Sequence, residues 1–542
     1  IHGEAIKMSS KIGSNVVIGK GTWLDKVALK IIEREKSLGR SLSKIRVESG
    51  LGASGIPHVG SLSDAVRAYG VKMALENLGY NSEFIAFSDD MDGLRRVPEG
   101  MPEWLNEYLA KPVCMIPDPF NCHRSYSAHM SGMLLESLDR LNIKYHFKSG
   151  AESYKSGILN DSILKILENA QTIGRKITEM VGQKKFEKIL PYFPICENCG
   201  RIYLAEAYQY IKEERKVLYR CIGSRIGKRW IDGCGYEGEV DVTKGKGKLS
   251  WKVEFAARWL ALDIRFEAYG KDIADSVKVN DWVIDEILKY PHPFHIRYEL
   301  FLDKSGRKIS KSLGNVFTPQ AWLRYGTPQS LMLLMFKRIA GTRNLSIEDI
   351  LNYMDEYDNL EDIYFGKVKV DNPAVLRKLK GLYEYVNLLK PPSKPQIHIS
   401  QRLLIQLASF APPENRVNYI IQKLIKYNMI KQATDELNER INLAINWVED
   451  FKVIEPVKLT LSQKEVNAIR ELIEFLLKET NPEKIQSEIF QIARRNNIEP
   501  PEFFKILYKA ILGSDKGPRL GPYIVDMGIP RVLELLKKQI EE

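Results

Sequence analysis

No run of about 18 or more apolar residues occurs in the 542-residue chain, so no segment matches a membrane-spanning helix. Cysteine is scarce, with six residues, which excludes a dense disulfide scaffold. Histidine is nearly as scarce, with eight, so two close together stand out. There is no internal repeat and no long low-complexity tract, which argues against solenoids and propellers. The opening "IHGEAIKMSSKIGSNVVIGKG" lacks an apolar core beside a cleavage site and does not read as a signal peptide. The expectation is a cytoplasmic monomer with reduced thiols, whose cysteines are thiols or metal ligands.

Positive charge, by contrast, is plentiful. Lys and Arg number 80 against 69 Asp and Glu, a net charge of +11 with a pI near 9.0. A polyanionic partner, most simply a nucleic acid, would use that excess; a solvated lysine-rich surface would show the same totals. An apolar fraction of 44% allows an ordinary core, and the length suggests about three or four domains.

"KIRVE" at 44–48 reads as a buried strand, followed by "SGLGASGIPHVG" and a helical pattern at Leu62, Ala65, Val66, Tyr69, Met73, Leu75 and Leu78. A second strand, "SEFIAFS", completes a βαβ unit. A helix is expected from about Ser125 to Leu141, then a strand "IKYHF", then a helix capped by Asp161. Four cysteines and many turns mark a small inserted module within 190–240. "WKVEFAARWLALDIRFEAYG" returns to helix then strand, and "FHIRYELFLD" is strand-like. From Pro319 the patterns are helical, with a break at "KPPSKPQIHIS". The fold class is α/β: a Rossmann-like doubly wound parallel sheet with a zinc-binding insertion, then an all-helical C-terminal domain. The expected divisions are an extension over 1–20, an α/β domain over 21–300 interrupted at about 150–245, a loop-bearing region over 301–360, and a helical region over 361–542.

Two motifs carry the chemistry. "ASGIPHVGS" at 53–61 lies between strand and helix, and Gly52, Gly55 and Gly60 let a ligand approach the backbone. The helix N-terminus that follows favours phosphate, and His58 can donate to a phosphoryl oxygen. Alone, the stretch also fits a plain turn before a helix. The second motif is "KISKS" at 308–312. Lys308 and Lys311 can follow charge developing on phosphorus, and Ser310 and Ser312 can bond its oxygens. A near copy, "KMSS" at 7–10, precedes the first strand and is read as chance.

In this order the pair resembles the "HIGH" and "KMSKS" signatures of class I aminoacyl-tRNA synthetases. "FSDDMDGLRRVPEGMP", "IPDPFNCHRSYSAHM", "KLSWKVEFAARW" and "GSDKGPRLGPYI" resemble segments of the class I lysyl-tRNA synthetases, over most of the chain from about Thr22. The resemblance implies catalytic roles for His58, Gly60, Lys308 and Lys311. It implies ATP binding by Gly55, His58, Ser61, Lys308, Ser310, Lys311 and Ser312, with Mg²⁺ accompanying ATP. The reaction implied is lysyl-adenylate formation, then transfer to the 2′-hydroxyl of the terminal adenosine of tRNA(Lys). Two departures stand out: Ser61 replaces the family's asparagine, and Ile273 stands where a pocket histidine is expected.

Cys196-x-x-Cys199 with Cys221 and Cys234 offers four thiolates for Zn²⁺, though the basic "IGSRIGKRWIDG" separates the last two. Four structural thiols are the alternative. Asp118, Cys122, His123 and His129 are a second ligand set, for which the family also implies zinc. Here Asp-Pro is also a common turn, and His129 can be a packed helix residue. For lysine itself, Asp89, Asp90 and Asp92 directly follow the second strand, where such folds bind ligands. Glu254 is a further anion, and Trp251 matches the family's pocket tryptophan. Any one of the three aspartates can instead be a helix or loop cap.

The basic helical C-terminal part, with Arg494, Arg495, Lys516 and Arg519, is implied to bind the anticodon, although most aromatics there have core spacing. Two other functions fit the signatures: a same-fold adenylating enzyme that does not use tRNA, and a paralogue that binds tRNA without catalysis.

Overall fold

The computed structural model describes residues 18–298, 301–302, 317–339, 341, 343–451 and 456–541. Lys308, Ser310, Lys311 and Ser312 lie outside the described residues, as does the early "KMSS". The chain forms two compact units. The first comprises 1–320, 332–346 and 369–391; the second comprises 321–331, 347–368 and 392–542.

The first unit starts with α1 (Trp23–Ser37), β1 (Ile45–Leu51), α2 (Val59–Asn77), β2 (Ser82–Ser88), α3 (Tyr126–Arg140), β3 (His146–Ser149) and α4 (Gly150–Lys155). An insertion follows. It has helices α5 (Asn160–Glu168) and α6 (Ala170–Val181), then short strands β4 (Tyr192–Pro194), β5 (Ala205–Ile211), β6 (Lys216–Cys221), β7 (Gly223–Ile226), β8 (Arg229–Asp232), β9 (Glu237–Asp241) and β10 (Gly247–Leu249). The second half returns with α7 (Trp251–Leu262), β11 (Ile264–Gly270), α8 (Ala274–Trp282) and β12 (Phe294–Tyr298).

The sheet order is β12-β11-β1-β2-β3, and every pairing is parallel. β1 and β2 are buried on both faces, as parallel strands covered by helices must be. The chain builds from β1 through β2 to β3, then returns to the far side of β1 with β11 and β12. The reversal therefore falls between β1 and β11, the switch point at which folds of this kind bind ligands, at the carboxyl ends of the strands. This is the doubly wound architecture expected.

Three local expectations shift. The "IKYHF" strand begins only at His146, so Ile143 to Tyr145 precede it. Asp161 lies in the first turn of α5 rather than capping it. "FHIRYELFLD" divides into β12 and a two-residue strand, Phe301–Leu302, that pairs in parallel with Arg343–Asn344.

The insertion shares the core of the sheet domain. Ile163, Ile177, Cys196, Val217 and Tyr219 belong to the same buried cluster as Val253, Trp259 and Val277. Within it, β5-β6-β9 form an antiparallel sheet, β7 and β8 a separate hairpin, and β4 pairs with β10.

Helices α9 (Pro319–Tyr325) and α10 (Pro328–Phe336) carry the chain out of the first unit and back. The second unit continues with α11 (Asp349–Tyr364); α12 (Pro373–Val386) belongs to the first. The rest is helical: α13 (Gln401–Phe410), α14 (Arg416–Lys426), α15 (Asp435–Asp450), α16 (Gln463–Leu476), α17 (Pro482–Arg495), α18 (Pro500–Leu512), α19 (Leu520–Met527) and α20 (Ile529–Ile540). Leu404, Leu407, Ile441 and Ala444 are fully buried, as are Ile485, Ile489 and Leu507.

Candidate active site

His58 is the N-cap of α2, in extended backbone conformation. Its Nδ1 accepts a hydrogen bond from Ser61 N–H at 3.2 Å, which assigns the proton of the neutral ring to Nε2. Gly60 makes that pose possible: a Cβ there would stand 2.8 Å from both Cε1 and Nδ1 of His58. Gly55 is buried in the loop, and Ser61 is half-buried in the first turn. Val59 N–H donates to the carbonyl of Phe317 at 2.9 Å, and a Cβ on Gly60 would lie 4.0 Å from the Phe301 ring. The described residues that flank the lysine–serine loop in sequence therefore border the first turn of α2.

Behind this turn, β1 and β11 set Glu48 and Glu267 in register, two carboxylates side by side. Arg258 of α7 answers both. Its Nε lies 2.5 Å from Glu48, its Nη2 3.2 Å from Glu267 and its Nη1 3.1 Å from Asp89. The guanidinium is buried over the rings of Phe87 at 4.4 Å and Phe255 at 5.0 Å. Beside this group Lys248, also buried, is held by Asp92 and by Glu254 at 3.0 Å. Glu254 accepts the Tyr154 hydroxyl at 2.9 Å, and Asp92 accepts Trp251 Nε1–H at 3.2 Å and the Tyr203 hydroxyl at 3.3 Å.

The electrostatics are strained. Burial pushes Asp89 up to about 7, with Asp92 and Glu254 adding to the rise and Arg258 opposing it. Glu48 is driven well above the usual carboxylate range by burial, then by Glu267 and Asp89. Lys248 goes the other way: burial would lower it, but Asp92 and Glu254 hold its ammonium well above the ordinary lysine value. Five carboxylates (Glu48, Asp89, Asp92, Glu254, Glu267) thus face two cations. Gly50 lies directly beside them, since a Cβ there would touch Asp89 Oδ2 at 3.5 Å and Arg258 Nη2 at 3.9 Å.

Asp90 points elsewhere. It accepts Ser149 Oγ–H at 2.5 Å and Ala151 N–H at 2.7 Å, and so fixes the start of α4. Ile273 ends the short turn after β11 and packs against the core.

Both ligand sets come together. The thiols of Cys196, Cys199, Cys221 and Cys234 lie within 4.8 Å of one another. Two of the separations are 3.6 and 3.8 Å, matching the edge of about 3.8 Å for a tetrahedron with zinc–sulfur bonds of about 2.3 Å. Asp118, Cys122, His123 and His129 form the second set, again within 4.8 Å. Cys122 Sγ lies 3.1 Å from His123 Nδ1 and 3.2 Å from His129 Nδ1, and Asp118 Oδ1 lies 3.3 Å from the latter. Asp118 Oδ2 is spoken for by the backbone N–H groups of Cys122 and His123. Those bonds, with that from Phe120, outweigh burial and hold the carboxyl at about 2, a permanent anion.

Residues 21–388 match the family model described as tRNA synthetases class I (K). A lysine–tRNA ligase of Cenarchaeum symbiosum (strain A) is 51% identical over 523 residues, covering 96% of this chain and 99% of that one. The chain belongs to the class I lysyl-tRNA synthetase family. A lysine–tRNA ligase of Methanosphaera stadtmanae is 30% identical, over 93% of this chain and 97% of the relative. Among solved structures, a glutamate tRNA ligase from Elizabethkingia meningosepticum, in complex with its amino acid, covers 92% of this chain and 99% of its own. Its identity of 13% and TM-score of 0.34 add nothing to the fold established by strand order.

In this synthetase, Glu48, Glu267, Arg258 and Lys248 are the functional candidates that motif reading missed. One signal was available: Arg258 interrupts the apolar run "FAARWLAL", where an unpaired arginine would be costly. In the helical unit, Arg495 pairs with Glu471 at 3.0 Å and Glu488 at 2.6 Å, and Arg519 pairs with Glu483 at 2.8 Å. Lys516 lines a cavity of about 620 Å³ together with Asp355, Asp358 and His398.

Proposed function

We propose that the crevice at the carboxyl ends of β1, β2 and β11 activates L-lysine with ATP, for transfer to tRNA(Lys). The observation that carries this reading is the charge imbalance beside the first turn of α2. Five carboxylates against two cations call for added positive charge, and lysine brings two ammonium groups. Asp89 and Glu48 are the groups whose ionisation such a ligand would favour most.

ATP would lie over the α2 N-terminus. Gly55 and Ser61 would allow its close approach, and His58 Nε2–H would donate to a phosphoryl oxygen. Lys308 and Lys311, with Ser310 and Ser312, would stabilise charge on the departing pyrophosphate, with Mg²⁺ carried by the nucleotide. A lysine carboxylate oxygen attacks the α-phosphorus and the bond to pyrophosphate breaks. The 2′-hydroxyl of the terminal adenosine then attacks the acyl carbon, and AMP leaves. Asp90, engaged at α4, would act through the backbone and not on substrate.

The four-thiol set would hold Zn²⁺, and its role is structural: it ties the Cys196–Cys199 turn to Cys221 and Cys234. The Asp118 set would hold a second Zn²⁺. Exchange of labelled pyrophosphate into ATP, run with each amino acid and tRNA(Lys), tests the reading. Lysine-dependent exchange followed by charging is expected. Exchange without charging would favour an adenylating enzyme that does not use tRNA; tRNA binding without exchange would favour a non-catalytic paralogue.

A further inference from the structure

Phe120 to Arg124 are exposed without a break, and no helix or strand crosses them. Burial cannot hold such a stretch in one shape. The second ligand set can. Asp118, Cys122 and His123 come from this loop and His129 from α3, so a metal on the four would tie loop to helix. Gly132, further along α3, makes room for the tie, since a Cβ there would stand 3.0 Å from His123 Nε2. Nothing in adenylation itself gives these four residues a part.

Tyr126 stands between the ligands in sequence and is fully buried. Its backbone N–H donates to the Ile116 carbonyl at 2.8 Å and so closes the base of the loop. Its hydroxyl reaches away from the loop and donates to the carbonyl of Ser54 at 3.1 Å, in the Gly-rich turn before His58. Packing follows the same line. Ala53 and Ile56, on either side of Ser54, pack in one cluster with Tyr126, Ile116 and Met130. The metal loop and the Gly-rich turn therefore share a core.

A trans peptide is planar, with its C=O and N–H directed oppositely. With the Ser54 carbonyl turned to Tyr126, the N–H of Gly55 is directed away from it. Gly55 is buried, and its N–H has no hydrogen-bond partner among the described residues. A buried donor left open is costly, and an acceptor on a ligand would relieve it.

We propose that Tyr126 is a positioning residue for adenylation. Its hydroxyl sets the Ser54–Gly55 peptide so that the Gly55 N–H meets a phosphoryl oxygen of ATP. The Asp118, Cys122, His123 and His129 set, loaded with its metal, keeps Tyr126 in place. Tyr126 touches no reacting atom and acts through one peptide. The inference rests on the reading of this turn as the ATP loop, and its test is separable from that reading.

The test compares Tyr126→Phe, His129→Ala and the double variant as full-length proteins. Tyr126→Phe keeps the ring in its core and removes one oxygen. ATP should bind about fivefold more weakly, both as KM in pyrophosphate exchange and in calorimetry, with KM for lysine and zinc content unchanged. His129→Ala should lose one zinc per chain and weaken ATP by a similar factor, with faster amide exchange at Tyr126. Because both act through the same peptide, the double variant should bind ATP as the weaker single variant does. Unchanged ATP affinity in Tyr126→Phe, or a KM for lysine that rises as much, overturns the proposal. So does His129→Ala that keeps its zinc or its ATP affinity, and so do effects that multiply in the double variant. If wild type shows no lysine-dependent exchange, the reading of the crevice falls, while ATP binding by calorimetry still decides the role of Tyr126.

Discussion

At the scale of single residues, the account turns on side chains that hold one another in costly states. Gly60 exists to let the His58 ring fold back over the first turn of α2, since a methyl group would meet it at 2.8 Å. Gly60→Ala should therefore lower kcat for adenylation by at least about tenfold while leaving thermal stability unchanged or raised, because alanine favours a helix. Activity assays beside a melting curve check this split. Arg258 is the opposite case. Arg258→Met leaves Glu48, Asp89 and Glu267 without their cation and should cost about 3–5 kcal/mol in denaturant unfolding, the usual result of breaking a buried ion pair. Asp89 makes the site pH-sensitive. Its folded value of about 7 lies above its unfolded value of 3.8, so the free protein binds the extra proton between those limits and loses stability as pH rises through them. On the proposed reading lysine binds the ionised form, so KM for lysine should fall as pH climbs from about 6 to 8. Asp89→Asn should flatten that profile and weaken lysine by about tenfold or more.

At the scale of elements, the sequence shows which helices and strands occur more plainly than which side chains meet. The Gly-rich turn, the helix after it and the strand "SEFIAFS" are legible because period and punctuation are local properties. The Glu48–Glu267 pair is not, since it arises from the register of two strands separated by more than 200 residues. Asp89, Asp90 and Asp92 are equivalent in sequence, yet the turn after β2 aims them differently: Asp89 at Arg258, Asp90 at α4, Asp92 at Lys248. The members of both candidate ligand sets that spacing suggests do come together, their donor atoms lying within 4.8 Å of one another. The insertion, by contrast, reads as a module but packs into the core of the sheet domain. Zinc analysis should give two ions per chain. A strong chelator should then loosen the β7–β8 hairpin before the parallel sheet, seen as faster amide exchange at Ser224 to Ile231, because among the described residues β7 and β8 form a sheet of two strands, bracketed by Cys221 and Cys234.

At the scale of the whole molecule, an excess of positive charge coexists with a buried core of negative charge. The excess of +11 suits a tRNA, and the carboxylates at the reversal of the sheet suit the amino acid that the tRNA is to carry. The net charge hides that division because it averages a cationic surface with an anionic interior. A crystal structure with a non-hydrolysable lysyl-adenylate analogue tests the central claim most directly. The account predicts its adenosine over the first turn of α2 and its lysine ammonium groups among Asp89, Glu48 and their neighbours, with Arg258 still in place. Finding the lysine side chain in the cation-lined cavity between the β7–β8 hairpin and α7, with no ammonium near Asp89, would contradict it.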